Sequence, residues 1–162
     1  MTEQLEQLKA HVVVASTRAA SGQRPDDTGP ILVDFLKELG FDADESIVLD
    51  GHPVEVAIGA AVEAGCRVVL TTGGTGLTPT DLTPEMTLGL IDKPVPGIAE
   101  AIRAAGIAKG VPTAMLSRGV AGLIGDCLVV NLPGSTGAVH DAVEVLRPVL
   151  QHAVEQVRGS DH

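Results

Sequence analysis

The residues best suited to chemistry in this 162-residue chain are a run of glycines followed by an aspartate. The segment 71–76, Thr-Thr-Gly-Gly-Thr-Gly, follows an apolar run, and Asp81 stands just before a helix start at 83–85. Glycines let the backbone approach a phosphate group closely, and the free N–H groups of a helix N-terminus bind anions. A carboxylate such as Asp81 could hold a divalent cation that binds the same phosphate. The pattern therefore predicts an anion-binding turn beside a cation ligand.

The glycine pattern by itself is not specific. A phosphate-loop motif would require Gly-Lys-Ser/Thr, but no lysine lies between Arg67 and Lys93. A dinucleotide-binding fingerprint would require a further glycine where Pro79 stands. The residues alone therefore leave a second interpretation open, in which this segment is a tight strand-to-helix turn that binds no ligand.

A second carboxylate, Asp50, follows a different apolar run and opens an Asp-Gly turn. Ligands of parallel α/β sheets bind beyond the carboxyl ends of the strands, so Asp50 and Asp81 should face the same crevice. Two carboxylates beside a phosphate-binding turn suit a magnesium–nucleotide site. Simpler interpretations remain open, because Asp-Gly is a common turn pair and Ser135 could merely cap the last helix.

The elements that must position these residues alternate between strand and helix. Apolar residues at helical spacing predict amphipathic helices, and short β-branched runs bounded by turn residues predict buried strands. The alternation favours an α/β fold with three αβα layers and a mostly parallel sheet, formed by one domain over 1–162 with frayed ends at 1–9 and 159–162. The predicted strands are His11–Ala15, Phe41–Leu49, Val68–Thr72, Val111–Ser117 and Asp126–Leu132. The predicted helices begin near Gly29, Pro53, Thr83 (as cap), Pro96 and Ser135, and Pro148 should kink or split the last one.

Composition argues against several classes of function. A net charge of −10 disfavours nucleic acid and anionic membranes as partners, and 1% aromatic residues leave little to stack on bases. No apolar run is long enough to span a membrane. Cys66 and Cys127 form no Cys-x-x-Cys pattern, so we expect two buried thiols in a reducing cytoplasm. Neither cysteine has the setting of a nucleophile, and covalent catalysis is therefore not expected.

Four segments in combination resemble the molybdenum-cofactor biosynthesis family. The similarity extends from Val12 to about Val157, and it is greatest with single-domain bacterial members of the Mog type, whose MoaB-type relatives share most of the motifs. The four segments are Thr71 to Asp81 with Thr83-Pro84-Glu85, Pro96 to Glu100, Leu116-Ser117-Arg118, and Asn131-Leu132-Pro133-Gly134-Ser135.

The resemblance implies a molybdopterin-binding fold and an activity, the transfer of AMP from ATP to the terminal phosphate of molybdopterin with magnesium. It also implies a cytoplasmic homotrimer, with other cofactor-biosynthesis proteins as partners, and the composition excludes nucleic acid and a membrane from these partners. A terminal phosphate is already ionised near pH 7, so positioning and charge neutralisation could suffice without a strong general base.

The resemblance also implies roles for individual residues. Asp50 and Asp81 match the two acidic positions associated with catalysis and magnesium, and Asp26 matches an acidic loop residue near the first strand. The matching nucleotide-binding positions are Gly73, Gly74, Thr75 and Gly76, and the matching molybdopterin-binding positions are Ser117, Arg118, Asn131, Pro133, Gly134 and Ser135.

Thr80 departs from the family pattern, in which many members carry an arginine just before the second aspartate. That arginine would help to neutralise phosphate charge, and Arg18 or Arg118 could replace it. The departure leaves an alternative function open, a catalytically silent MoaB-like protein that binds molybdopterin or acts as a scaffold. The presence of both Asp50 and Asp81 favours the enzyme.

Overall fold

A computed structural model describes residues 7–159 of the chain. One six-stranded sheet has the strand order β2-β1-β3-β6-β5-β4. The strands are β1 (Lys9–Ala15), β2 (Asp42–Val48), β3 (Val68–Thr72), β4 (Lys93–Pro94), β5 (Ala121–Ile124) and β6 (Cys127–Leu132). The helices are α1 (Thr17–Ala20), α2 (Thr28–Glu38), α3 (His52–Glu63), α4 (Thr83–Leu88), α5 (Pro96–Ala108), α6 (Thr136–Leu146) and α7 (Leu150–Val157).

The sheet is mostly parallel, as the sequence predicts. Strands β2, β1, β3 and β6 run parallel to one another, and β5 and β4 extend the sheet in the antiparallel direction. Helices α2, α5, α6 and α7 pack on one face, while α3 and α4 pack on the other. The predicted three-layer α/β architecture is therefore confirmed.

The central strands are buried on both faces, which explains their largely apolar sequences. Every residue of β3 and β6 is buried, as expected for strands covered by helices on both sides. Leu32, Leu36 and Leu146 are fully buried on one face, and Val54 and Ile58 are fully buried on the other. Each such side chain contributes roughly 1.5–3 kcal/mol through its removal from water.

One predicted strand is wrong. The sequence predicts a strand at Val111–Ser117, but Pro112–Leu116 form a 3-10 helix at the surface, where Met115 is 59% exposed. Pro112 has no N–H to donate to a sheet ladder. The place in the sheet is taken by β5, where a side chain at Gly122 would collide with the backbone of β4. Gly122 allows the backbones of β4 and β5 to lie close together. The same glycine weakens the sequence pattern that would predict a strand here.

The predictions for the two ends of the chain differ in how well they agree with the structure. The predicted frayed ends lie largely outside the described residues, but Leu8 packs against the core and Lys9 already begins β1. Strand β1 thus begins at Lys9, earlier than the predicted start at His11. Near the other end, Pro148 separates α6 from α7, as its missing N–H predicts.

The two cysteines are free and buried, in agreement with the sequence analysis. Burial raises the pKa of Cys127 to about 12, and it also raises the pKa of Cys66. Both thiols therefore stay protonated near neutral pH and are poor nucleophiles. Within residues 7–159, no helix combines the length and the apolar character that a membrane span requires.

Candidate functional site

The carboxyl ends of the parallel strands form one polar edge, and most of the predicted site residues collect there. Strand β3 leads into the glycine turn at 73–76, and β6 leads into a second turn. The two turns are in direct contact, because the Gly73 N–H donates to Leu132 O at 3.0 Å and the Thr72 hydroxyl donates to Pro133 O at 2.8 Å. The turn predicted to bind nucleotide and the turn predicted to bind molybdopterin are therefore neighbours.

Two glycines of the glycine turn are needed because the backbone there is left-handed and crowded. Gly73 has φ 93° and Gly74 has φ 69°. A Cβ on Gly73 would collide with Ala15 O, and a Cβ on Gly74 would collide with the Thr83 hydroxyl and the Asp50 carboxylate. The absence of these side chains lets the end of β1, the glycine turn and Asp50 approach one another.

Asp50 connects the end of β2 to the segment that follows the glycine turn. Its Oδ1 accepts hydrogen bonds from the Gly51 N–H at 2.8 Å and from the Leu82 N–H at 3.2 Å. Burial raises the pKa of Asp50, and the charges on Asp81 and Glu85 add to this effect, whereas the two N–H donors oppose it. A local Asp-Gly turn needs only the bond from Gly51. The additional bond from Leu82 connects the end of β2 to the segment that follows β3.

Asp81 is held by its own turn and directly precedes the residue that contacts Asp50. Its Oδ2 accepts from the Thr78 N–H at 3.0 Å and from the Thr78 hydroxyl at 2.8 Å. The next residue, Leu82, is the one whose N–H reaches Asp50. The negative charge of Asp81 contributes to the raised pKa of Asp50. The structure thus brings the two carboxylates that the sequence singles out to one edge.

A buried hydroxyl adds a third oxygen to this pair. The sequence predicts Thr83 as the cap of α4, but Leu82 is the N-cap and Thr83 is the first helical residue. The Thr83 hydroxyl is buried and makes no hydrogen bond with the described residues. It lies close to Asp50 Oδ2, since a Cβ on Gly74 would collide with both oxygens. A buried hydroxyl without a partner is unusual and points to a water or ligand at this place.

These oxygens suit Mg²⁺. Magnesium prefers oxygen ligands and is usually bound by one or two carboxylates together with water and substrate phosphates. Among residues 7–159, no group of three or more His, Cys, Asp and Glu side chains could hold a metal ion. An ion here would therefore need water or phosphate oxygens to complete its shell. The residues that could hold it are Asp50, Asp81 and Thr83.

Asn131 lies beneath the edge, and its side chain is used within the protein. It is 2% exposed. Its amide donates to the hydroxyls of Thr71 and Thr87, each at 3.0 Å, and its Oδ1 accepts from the Val120 N–H at 3.1 Å. These bonds connect β6 to β3, to α4 and to the start of β5. Asn131 therefore supports the polar edge structurally through these hydrogen bonds.

Ser135 and Gly134 each have a local structural role. Ser135 caps α6 by accepting from the Ala138 N–H at 3.3 Å, which confirms the capping interpretation. A Cβ on Gly134 would lie 3.2 Å from Gly73 Cα, so the two turns pack backbone against backbone. A serine cap is compatible with ligand binding, because the remaining N–H groups of the first turn can bind an anion.

Two cavities flank the turn that follows β6, and Ser135 lines both. Cavity A has a volume of about 340 Å³, and cavity B has a volume of about 420 Å³. The predicted molybdopterin positions are therefore divided between two spaces. Cavity A is lined by residues that include Ser16, Arg24, Asp26, Thr72, Gly73 and Gly134, and cavity B by residues that include Arg103, Lys109, Ser117, Pro133 and Ala138.

Ser117 and Arg118 contact the glycine turn. The Ser117 hydroxyl donates to the Thr75 hydroxyl at 3.2 Å, and the Arg118 N–H donates to Thr75 O at 2.9 Å. The Arg118 side chain also reaches the turn, because its Nε donates to Gly76 O at 2.8 Å. The two residues therefore hold the predicted nucleotide turn, a contact that the sequence does not indicate.

Glu45 is a further polar residue that the sequence does not single out, and its carboxyl group lies near that of Asp26, which lines cavity A. A Cβ on Gly29 would collide with both Glu45 Oε2 and Asp26 Oδ2, so the two carboxyl groups lie over the first turn of α2. Burial of the Glu45 carboxyl group and the neighbouring Asp26 carboxyl group raise the pKa of Glu45 from 4.5 to about 7, and Glu45 Oε2 is buried without a hydrogen-bond partner among the described residues. Glu45 looks like an ordinary polar strand residue in the sequence, and only the packing of α2 on β2 reveals the pair.

The chain matches, over residues 11–152, the family described as a probable molybdopterin binding domain. The chain belongs to this family. The resemblance that the four sequence segments indicate is thereby confirmed.

Curated proteins and solved structures agree with the family match. The chain is 37% identical over 155 residues to a molybdenum cofactor biosynthesis bifunctional protein of Synechococcus elongatus, covering 94% of this chain and 48% of that protein. It is 34% identical over 155 residues to a molybdopterin adenylyltransferase of Pyrococcus furiosus, covering 93% of this chain and 91% of that protein. A molybdopterin biosynthesis Mog protein from Mycobacterium ulcerans superimposes with TM-score 0.91 at 47% identity, over 96% of this chain and 99% of that one. The chain spans about half the length of the curated bifunctional relatives that it matches.

Gly74→Ala tests whether this edge binds magnesium–ATP, and the variant should weaken such binding. The added Cβ would displace the Asp50 carboxylate and the Thr83 hydroxyl, and the left-handed backbone adds strain of roughly 1–2 kcal/mol. The control is Gly110→Ala, since Gly110 has φ 89° but nothing within 4 Å of its Cβ position. Calorimetric titration should show at least a tenfold loss of affinity for Gly74→Ala only. Equal affinities in the two variants would contradict the site.

Glu45→Gln should stabilise the protein at high pH. Because the pKa of Glu45 is about 7 in the folded chain and near 4.5 when unfolded, the unfolded state loses its proton first as pH rises. Stability is therefore lost between about pH 4.5 and 7, and glutamine avoids this loss because its amide does not ionise. Melting curves should show a higher Tm for Glu45→Gln at pH 8 and little difference near pH 4.5. The control is Glu100→Gln, at an exposed position of α5, and an equal effect in both variants would refute the pair.

Proposed function

We propose that this protein is a molybdopterin adenylyltransferase, which transfers AMP from ATP to the terminal phosphate of molybdopterin. The observation that carries the proposal is the position of Asp50, whose carboxylate reaches the Leu82 N–H beside Asp81 and stands next to the buried Thr83 hydroxyl. This group of oxygens adjoins the glycine turn. Support also comes from the adenylyltransferase of Pyrococcus furiosus, which the chain matches over most of its length.

The proposal assigns the phosphates of ATP to the glycine turn. Gly73 and Gly74 carry no side chain, so a phosphate could approach their backbone closely. Magnesium, when bound, would offset the charge of the phosphates and polarise the reacting group. Asp50, Asp81 and Thr83 would hold it, because they are the oxygen donors beside the turn. In a chain of net charge −10, a cation is needed before an anionic substrate can lie next to two carboxylates.

The reaction needs positioning more than acid–base chemistry. An oxygen of the terminal phosphate of molybdopterin attacks the α-phosphorus of ATP, and the bond from that phosphorus to the bridging oxygen breaks, so that pyrophosphate leaves. The attacking oxygen is already ionised near neutral pH, and a strong general base is not required. Fixed backbone N–H groups and hydroxyls can hold both reactants in line. This agrees with a chain whose two thiols are buried and protonated.

Molybdopterin is assigned to the cavities beside the turn that follows β6. Ser117, Pro133, Gly134 and Ser135 line these cavities, so they are the candidates for direct contact. Asn131 would act indirectly, since its side chain is spent on protein partners. Thr80 stands where many family members carry an arginine, so another cationic side chain at the edge could neutralise the phosphate charge. Arg24 is a candidate because it lines cavity A, whereas Lys109 of cavity B is already paired with Asp141 and Glu144 at 2.9 and 2.7 Å.

The proposal extends to assembly and location. The family resemblance implies a homotrimer that works in the cytoplasm with other cofactor-biosynthesis proteins. Two free, buried thiols suit a reducing compartment. The homotrimer rests on the resemblance alone, whereas the thiols support the location independently.

A second candidate function is a catalytically silent protein that binds molybdopterin or serves as a scaffold. The observation that favours it is Thr80, which occupies an exposed place in the loop before Asp81 where many family members carry an arginine. Only the enzyme requires the two carboxylates, whereas a silent molybdopterin-binding or scaffold protein does not.

Asp50→Asn and Asp81→Asn should each lower the formation of adenylyl-molybdopterin roughly 100-fold or more, because each removes a charge that faces the metal and phosphates. The matched control is Asp92→Asn, since Asp92 also accepts a backbone N–H in a turn, from Gly125 at 2.8 Å. Product formation is measured at limiting magnesium, together with the Tm of each variant.

The control should keep its activity, and the two site variants should keep their fold. Full turnover in either site variant would remove that residue from the metal site. A variant that only melts earlier, with normal activity per folded molecule, would show that its carboxylate serves the turn and not the reaction.

A further inference from the structure

The Arg118 side chain contacts three parts of the segment that follows the glycine turn. Its Nε donates to Gly76 O at 2.8 Å, and one terminal nitrogen donates to Asp81 O at 2.7 Å. The other terminal nitrogen forms an ion pair with Glu85 in the first turn of α4. The hydrogen bond from Arg118 lowers the pKa of Glu85, so the pair stays ionised at neutral pH. One planar group thus spans the segment from its start to its end.

The backbone that carries Arg118 is itself held in place. Arg103 of α5 donates to Ser117 O at 3.2 Å and to Gly119 O at 3.0 Å, on either side of Arg118. The Arg118 N–H donates to Thr75 O. The connection therefore runs from a long helix, through the 117–119 backbone, to the loop beside the two carboxylates.

The loop needs such support because it is otherwise exposed. Residues 77–80 are all exposed, and Leu77 is 64% exposed. Fixing the backbone of an exposed residue costs roughly 1–2 kcal/mol of conformational entropy, with little apolar burial to offset it. The loop ends at Asp81 and Leu82, whose carboxylate and N–H form the edge facing Asp50.

We propose that Arg118 is a positioning residue, which clamps the segment from Gly76 to Glu85 and thereby fixes Asp81 and the Leu82 N–H against Asp50. The inference rests on the proposed function in one respect, that this edge holds magnesium–ATP. Arg118 acts through Asp81 and Leu82, and its guanidinium serves the protein rather than the pterin phosphate. This differs from the direct molybdopterin contact that the sequence resemblance implies.

The shape of the guanidinium separates the two roles. Arginine presents five N–H donors in a rigid plane, whereas lysine presents one compact charge. A lysine could still attract an anionic phosphate from position 118. It could not donate at once to Gly76 O, Asp81 O and the Glu85 carboxylate, which lie along different edges of the guanidinium. Arg118→Lys therefore keeps the charge and removes the clamp.

The test compares Arg118→Lys and Arg118→Met with the control Arg147→Lys. Arg147 is also paired with a glutamate, Glu38, but lies over Phe35, away from the site. Both Arg118 variants should lose roughly 100-fold in kcat, the loss expected for a small misplacement of reacting groups, with the KM for molybdopterin within about twofold of normal. Amide hydrogen exchange in 76–82 should be at least about tenfold faster in both, with exchange in β3 and β6 unchanged. The control should change neither quantity.

Two results would overturn the clamp. One is normal exchange in 76–82 in Arg118→Lys. The other is a raised KM for molybdopterin in Arg118→Met that Arg118→Lys restores, which would identify a direct charge contact with the pterin phosphate. If an Arg118 variant does not fold, Glu85→Gln provides the same exchange measurement, since it removes one arm of the clamp. The exchange measurement does not depend on turnover, so it tests the clamp even if the wild-type protein forms no adenylyl-molybdopterin.

Discussion

The hydrogen bond from the Leu82 N–H to Asp50 Oδ1 is the contact on which the candidate site depends. It joins the end of β2 to the segment after β3, although β1 lies between these strands in the sheet. Without it, Asp50 would remain a residue of a local turn, and Asp81 would belong to an exposed loop. With it, two carboxylates share an edge with the glycine turn, and burial together with like charge raises the pKa of Asp50. A cation between these oxygens would relieve that repulsion.

This contact is possible only because the surrounding backbone comes unusually close and is held from below. Gly74 leaves room for the Asp50 carboxylate, and Gly134 lies against the backbone of Gly73. Beneath them, Asn131 satisfies three polar groups at once, and such buried networks fix geometry when every member has a partner. The Thr83 hydroxyl beside Asp50 is buried and has no partner among the described residues, so a water or a ligand could bind it there. The fold thus fixes the backbone around the site and leaves the Thr83 hydroxyl free to bind a water or a ligand.

Much of the fold could be predicted because its strongest signals are local. The buried strands β3 and β6 have largely apolar sequences that predict strands, and Pro148 marks the break between α6 and α7. The sequence does not predict β5, because this strand is short and contains Gly122. It predicts a strand at Val111–Ser117, where Pro112 cannot donate to a sheet ladder and the chain forms a 3-10 helix. The carboxylates of the site could be found from their positions after strands. The partners of Arg118, Asn131 and Glu45 could not, since they come from residues far away in the chain whose contacts only packing determines.

The central claim is that this edge transfers AMP to molybdopterin. The most direct measurement is to incubate the wild-type protein with molybdopterin, magnesium and ATP labelled on the α-phosphate, and to separate the products. The account predicts that the label appears in a pterin product, with one pyrophosphate released for each label transferred, and that chelating magnesium stops the transfer. Molybdopterin that binds tightly but is recovered unlabelled, with ATP intact, would contradict the account and identify the protein as a molybdopterin-binding or scaffold protein.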